Sequence, residues 1–128
     1  MNKSAEWAIL VFSCDKYRDL WEPLFANFRR CWPDCPFVIY LLANHAEYHG
    51  WDRVKTIAVG KDVTWSNNAL EALNIIKEPY LLTMFDDLFF KEQIETAKIL
   101  SLTREFVDCR MNYLRLNPTP PPEWTFSA

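Results

Sequence analysis

Apolar and polar positions alternate in blocks along this chain, and the blocks read as the strands and helices of an α/β protein. Residues 7–13 open with an unbroken apolar run, the pattern of a strand buried on both faces. A polar break at Cys14-Asp15-Lys16 follows. Leu20, Trp21, Leu24, Phe25, Phe28 and Trp32 then recur every three or four residues, which predicts one wide apolar helix face. Asp19 is suited to cap that helix, Pro23 falls near its first turn, and Pro33 and Pro36 stop it. Residues 37–42 predict a second buried strand, rich in β-formers. The polar stretch 44–52 holds both histidines, and 54–59 predicts a third strand ended by Gly60. Over 65–76 a second helix is expected, with Ala69, Leu73 and Ile76 on one face and Ala72 beside them. Pro79 breaks it, and 80–85 predicts a fourth strand. A long helix over about 92–108 follows, with Ile99, Leu102 and Phe106 in register. A last strand is expected over 111–116, before the proline run at 118–122.

The resulting order, β-α-β-β-α-β-α-β, argues for a mostly parallel three-layer α/β/α sheet. The length of 128 residues fits a single domain spanning the whole chain. In such sheets ligands bind beyond the carboxyl ends of the strands. Two polar clusters stand at predicted strand ends, Ser13-Cys14-Asp15 and Asp86-Asp87.

Composition narrows the function classes. Half of the residues are hydrophobic and 24% are charged, which suits a folded, soluble domain. The net charge is -3 and no basic cluster exists beyond Arg29-Arg30, so a nucleic-acid partner is not expected. The first apolar run is far below the roughly 18 residues of a transmembrane segment, and no small-residue cleavage site follows it. The expected location is cytoplasmic. Cys14, Cys31, Cys35 and Cys109 lack the paired spacing of a zinc site and read as reduced cysteines near a core. His45, Glu47 and His49 could ligate a metal, but Gly50 spoils a helical arrangement, so exposed loop residues are expected.

The stretch from Tyr80 to Phe90 carries the clearest chemistry: an apolar strand ends in two adjacent carboxylates before apolar residues resume. Paired carboxylates near a core repel, and a cation offsets them. Magnesium is usually held by one or two carboxylates plus substrate phosphates. A solvated turn capping a helix near Lys91 explains the same pair without a ligand.

Several stretches in order resemble the glycosyltransferases of the GT-A superfold. Ile9-Leu10-Val11-Phe12-Ser13-Cys14-Asp15-Lys16-Tyr17 is similar to the first strand and nucleotide-contacting loop of a bacterial, family-2-like branch. Asp19-Leu20-Trp21-Glu22-Pro23-Leu24 and Trp32-Pro33-Asp34-Cys35-Pro36 continue the likeness, and Trp65-Ser66-Asn67-Asn68-Ala69-Leu70-Glu71-Ala72-Leu73 resembles the helix before the acidic motif. Asp86-Asp87 falls where the family carries Asp-x-Asp, although Leu88 departs from that pattern. The resemblance implies a GT-A-like (nucleotide-diphospho-sugar transferase) fold and a nucleoside-diphosphate sugar as donor. It also implies a divalent metal, Mn or Mg, and transfer to a saccharide or lipid-linked acceptor in surface polysaccharide synthesis. The cytoplasmic location would then be at most peripheral to the inner membrane.

Carried over by position, Ser13, Cys14, Asp15 and Tyr17 would lie against the base and ribose. Trp65, Ser66 and Asn68 would face the donor from the helix start, where free N–H groups favour phosphate. Asp86 would touch the ribose and Asp87 the metal, the two forming the metal site. Other roles stay open for three of these: Asp15 or Ser66 as helix caps, and Tyr17 as core.

About 40 residues follow Asp87, too few for the family's acceptor half, and no general base can be nominated. The expectation is therefore a truncated chain, or a site completed by a partner domain or an oligomer. A catalytically inert nucleotide-binding or assembly module is the alternative. A phosphoryl-transfer domain of receiver or haloacid-dehalogenase type fits less well. Tyr17 stands where the dehalogenase pattern wants a second Asp, and Asn117-Pro118 where a receiver wants a lysine.

Overall fold

The computed structural model describes residues 3–116. The chain divides into two compact units, Met1–Thr96 and Ala97–Ala128. The first holds a four-stranded, all-parallel sheet with strands β1 (Trp7–Phe12), β2 (Val38–Ala43), β3 (Val54–Ala58) and β4 (Tyr80–Phe85). Helix α1 (Trp21–Cys31) connects β1 to β2, and α2 (Trp65–Ile75) connects β3 to β4. All four strands begin and end within one residue of the positions expected from the apolar runs. This is a small α/β fold.

The strand order is β3-β2-β1-β4. The chain thus builds outward from β1 on one side, then returns through α2 to place β4 on the other. Successive residues of the central strands face opposite sides of the sheet, and both sets are buried. Ala8, Leu10, Tyr40, Leu42 and Ile57 pack with Ala72 of α2, flanked by Ile76. The other set, Ile9, Val11, Ile39 and Leu41, is equally buried and matches the stripe of Leu24, Phe25 and Phe28 on α1. At the amino edge Trp7 stacks on Tyr80 with ring centroids 5.0 Å apart.

The structure corrects several expectations at the element ends. Helix α1 is entered through a 3-10 turn over Asp15–Leu20, and its N-cap is Leu20 with no side-chain cap, so Asp19 does not cap it. Pro23 sits in the first turn of α1, where a missing N–H costs nothing. The third helix, α3, spans Thr96–Asp108 and does not begin near residue 92. The backbone before it is spent on tertiary bonds instead. Phe90 N–H donates to Asn27 Oδ1 at 2.8 Å, Asn27 Nδ2 returns a bond to the Phe90 carbonyl at 3.1 Å, and Ile94 N–H reaches the Cys31 carbonyl at 2.8 Å. These bonds tie the chain after β4 along α1 and outweigh helix propensity there.

The strand expected over 111–116 does not form. Helix α3 ends in a Schellman arrangement: Arg110, at φ 53, donates to the Val107 carbonyl at 3.1 Å, and Met111 N–H donates to the Phe106 carbonyl at 3.0 Å. That cap consumes the amide that would have opened the strand. The alternating pattern beyond it finds no ladder, and Tyr113, Leu114 and Leu116 are exposed. The proline run at 118–122 lies outside the described residues.

Candidate functional site

In a parallel sheet all carboxyl ends share one edge, and the point where strand order reverses leaves a crevice between two loops that run opposite ways. Here that point lies between β1 and β4. The register pairs Phe12 with Phe85, so the next residues, Ser13 and Asp86, emerge side by side. Ser13 Oγ donates to Asp86 Oδ2 at 2.7 Å, and Asp86 N–H extends the ladder to the Phe12 carbonyl at 3.2 Å. The buried Trp21 indole donates to Ser13 Oγ at 2.8 Å.

An open cleft of about 390 Å³ lies at this edge. Its floor includes Phe12 and Leu42, and one side is formed by Ser13, Cys14, Tyr17 and Asp86. Asp62, Val63, Thr64, Trp65 and Asn68 line it from the approach and first turn of α2. The Tyr17 and Trp65 rings are roughly half exposed, and Phe12 and Trp65 lie 5.2 Å apart by ring centroids. Tyr17 is therefore a wall of the cleft and not core. Among the described residues no Lys, Arg or His lines the cleft, whereas Asp62 and Asp86 are both acidic.

The sequence-derived candidates divide in two. Ser13, Cys14, Tyr17, Trp65, Asn68 and Asp86 meet at the cleft. Asp15, Ser66 and Asp87 are not among its lining residues. Asp87 is exposed in the turn just after β4, next to the half-buried Asp86, and no helix near Lys91 is there for either to cap. Ser66 is exposed, and the cap of α2 is Thr64, whose hydroxyl accepts from Asn67 N–H at 3.1 Å.

Asp15 neither caps a helix nor lines the cleft. Its carboxylate accepts three backbone amides beyond β2: Asn44 at 2.9 Å, His45 at 3.0 Å and Ala46 at 3.1 Å. Asp15 N–H in turn donates to Asn44 Oδ1 at 2.9 Å. Burial opposes the Asp15 charge, but the three amides outweigh it and hold the carboxyl below its ordinary value. The pair clamps the loop after β1 to the loop after β2, which stiffens one margin of the cleft. Asn44 Nδ2 is the one buried side-chain donor left without a partner among the described residues.

Sequence reasoning overlooked Asp62, Val63 and Thr64. The signal for Thr64 was present, since it immediately precedes the predicted helix and its hydroxyl is a favoured cap. Asp62 gave no local signal. Its place depends on Asn68, a buried amide that donates to Asp62 Oδ1 at 2.8 Å from one turn into α2. His45 and His49 are exposed, with His49 Nε2 3.4 Å from Glu47 in an exposed pair. Among the described residues no group of three His, Cys, Asp or Glu side chains is placed to hold a metal, and no helix is long and apolar enough to cross a membrane.

Sheet, switch point and cleft define the class: a small parallel α/β protein with a carboxyl-edge cleft that is acidic and aromatic. No protein-family model, curated protein or solved structure matches the chain.

Proposed function

We propose that this chain is the donor-binding half of a GT-A-type glycosyltransferase. It would hold a nucleoside-diphosphate sugar in the carboxyl-edge cleft for transfer to a saccharide or lipid-linked acceptor, in surface polysaccharide synthesis. The observation that carries this reading is the meeting of Ser13 and Asp86 across the switch point. These residues are 73 apart in sequence and come from two of the stretches whose resemblance suggested the family.

Chemistry of the cleft supports it. Tyr17 and Trp65 offer half-exposed aromatic faces to a base or a sugar ring, and Ser13, Thr64 and Asn68 supply polar atoms. The volume of about 390 Å³ falls in the usual range for small-molecule sites, about 300–1,000 Å³. A diphosphate entering between Asp62 and Asp86 needs its charge offset, and among the described residues no cationic side chain lines the cleft. Asp86, which lines the cleft, and the neighbouring exposed Asp87 would supply hard oxygen donors of the kind Mn or Mg takes, with phosphate and water completing the shell. Such a cation, when bound, stabilises the departing diphosphate.

Calorimetry of UDP and GDP binding, with Mn, Mg or chelator, tests the reading on the natural chain and on Asp87→Asn. Metal-dependent binding that the substitution abolishes is the expected result. Metal-independent binding, or none to either nucleotide, would overturn it. Binding without donor transfer or hydrolysis would point instead to an inert nucleotide-binding module.

A further inference from the structure

Trp21 opens α1 with 4% of its surface exposed, yet its one polar atom serves the cleft and not the core. An indole N–H only donates, while a serine hydroxyl holds one proton and two acceptor sites. Once Trp21 Nε1 donates to Ser13 Oγ at 2.8 Å, the serine proton must find an acceptor elsewhere. Two are in range, Asp86 Oδ2 at 2.7 Å and the Cys14 carbonyl at 3.4 Å. The shorter bond is also the charge-assisted one, so it wins. Donation therefore runs one way, from Trp21 through Ser13 to Asp86.

Asp86 is consequently tied to β1 twice, by its amide to Phe12 and by Oδ2 to Ser13. Its Oδ1 takes no part in this chain. We propose that Trp21 is a positioning residue of the cleft. Its indole commits the only Ser13 proton to Asp86 Oδ2 and leaves the second carboxylate oxygen as the one offered to a ligand hydroxyl or a cation. Ser13 then acts on a ligand through Asp86, because its proton is already used. The nature of that ligand rests on the donor-cleft reading, but the hydrogen-bonded chain does not.

The test uses both facts. In ¹H–¹⁵N spectra of the full chain, Ser13→Ala should move the Trp21 indole resonance and speed its exchange with solvent. Asp86→Ala should move the same resonance through Ser13, and Ser13→Thr should leave it nearly in place. In calorimetry with UDP or GDP and Mg, Ser13→Ala and Trp21→Phe should each weaken binding about tenfold. The double variant should be no weaker than either single one, and in an Asp86→Ala background neither should weaken binding further.

A merely structural Trp21 would instead lower thermal stability and keep its full effect on binding in that background. An indole resonance untouched by Asp86→Ala, or additive losses, overturns the proposal. If Trp21→Phe does not fold, the Ser13 and Asp86 variants decide alone. If the natural chain binds neither nucleotide, the donor reading fails while the indole resonance still settles the relay.

Discussion

The sheet is covered differently on its two faces. The α1 side is packed with rings: Phe28 lies within 5.3–6.5 Å, centroid to centroid, of Phe25, Trp32, Trp51 and Phe90. Phe25 and Phe28 are fully buried. The α2 side is thin. Ala69 and Ala72 face inward with Asn68, while Leu70, Leu73 and Ile75 are 60%, 46% and 58% exposed. Bulk on the first face supplies stability, since burying apolar area is the main favourable term in folding. Small side chains on the second let α2 lie close to the sheet. Its first turn, with Trp65 and Asn68, then borders the cleft.

Truncation should separate the faces most clearly. Phe28→Ala is expected to cost about 3–5 kcal/mol, whereas Leu73→Ala should change stability by about 0.5 kcal/mol or less. Urea unfolding of both variants checks this, and equal losses would erase the contrast.

The next effect sits on the margin of the ring-rich face. A Cβ on Gly50 would collide with the Tyr48 hydroxyl and the Glu22 carboxylate. Tyr48 donates to Glu22 Oε2 at 2.6 Å and lies against Phe25, with ring centroids 5.0 Å apart. Gly50→Ala should therefore destabilise the fold by about 1–3 kcal/mol. Unfolding at natural stability would mean that this margin yields more easily than its packing implies.

At the cleft margin, Asp15→Asn should cost about 1–2 kcal/mol near neutral pH, through weakened bonds to three amides. The folded carboxyl titrates below its ordinary value of 3.8, so its stabilisation is present above that value. It is lost as pH falls through the lowered folded value. Acid unfolding should show the gap between natural chain and variant closing in that window, and a gap constant with pH would refute the clamp.

A further small effect also belongs to the thin face. Burial pushes the Tyr40 hydroxyl up from 10.0 to about 12, with help from its bond to Glu78 Oε1 at 2.8 Å. A raised folded value means stability is intact below the ordinary tyrosine range and lost as pH climbs toward about 12. Tyr40→Phe should change stability by about 1 kcal/mol or less at neutral pH and blunt the alkaline loss. Some loss should remain, because burial and Glu22 push the Tyr48 hydroxyl up as well. Thermal melts across the alkaline range read both effects.

The two central strands, β1 and β2, were the most legible because double-sided burial writes itself as an unbroken apolar run, whereas the strand expected over 111–116 did not form. The helices were legible at their centres and misread at their ends. The face expected on α2 placed Leu73 inward, while the structure buries Asn68, Ala69 and Ala72 and exposes Leu73. Periodicity named the right helix but rotated its inner face, since Ala69, Ala72 and the flanking Ile76 lie inward as expected while Leu73 does not. Half of the cleft was similarly visible. Ser13 and Asp86 announced themselves as polar residues closing apolar runs, whereas Asp62 enters through a bond to Asn68 that no local pattern encodes.

From sequence alone came the element types, the parallel α/β class and the strand ends where polar chemistry gathers. These follow from periodicity and composition, which act over a few residues at a time. Tertiary structure alone decided the order β3-β2-β1-β4, and with it the meeting of Ser13 with Asp86. It also took Asp15 into a clamp, tied residues 90–94 to α1 in place of a helix, and left 111–116 without a ladder. Those outcomes turn on which side-chain or backbone group, mostly distant in sequence, claims a hydrogen bond. That competition is resolved only when the chain is folded.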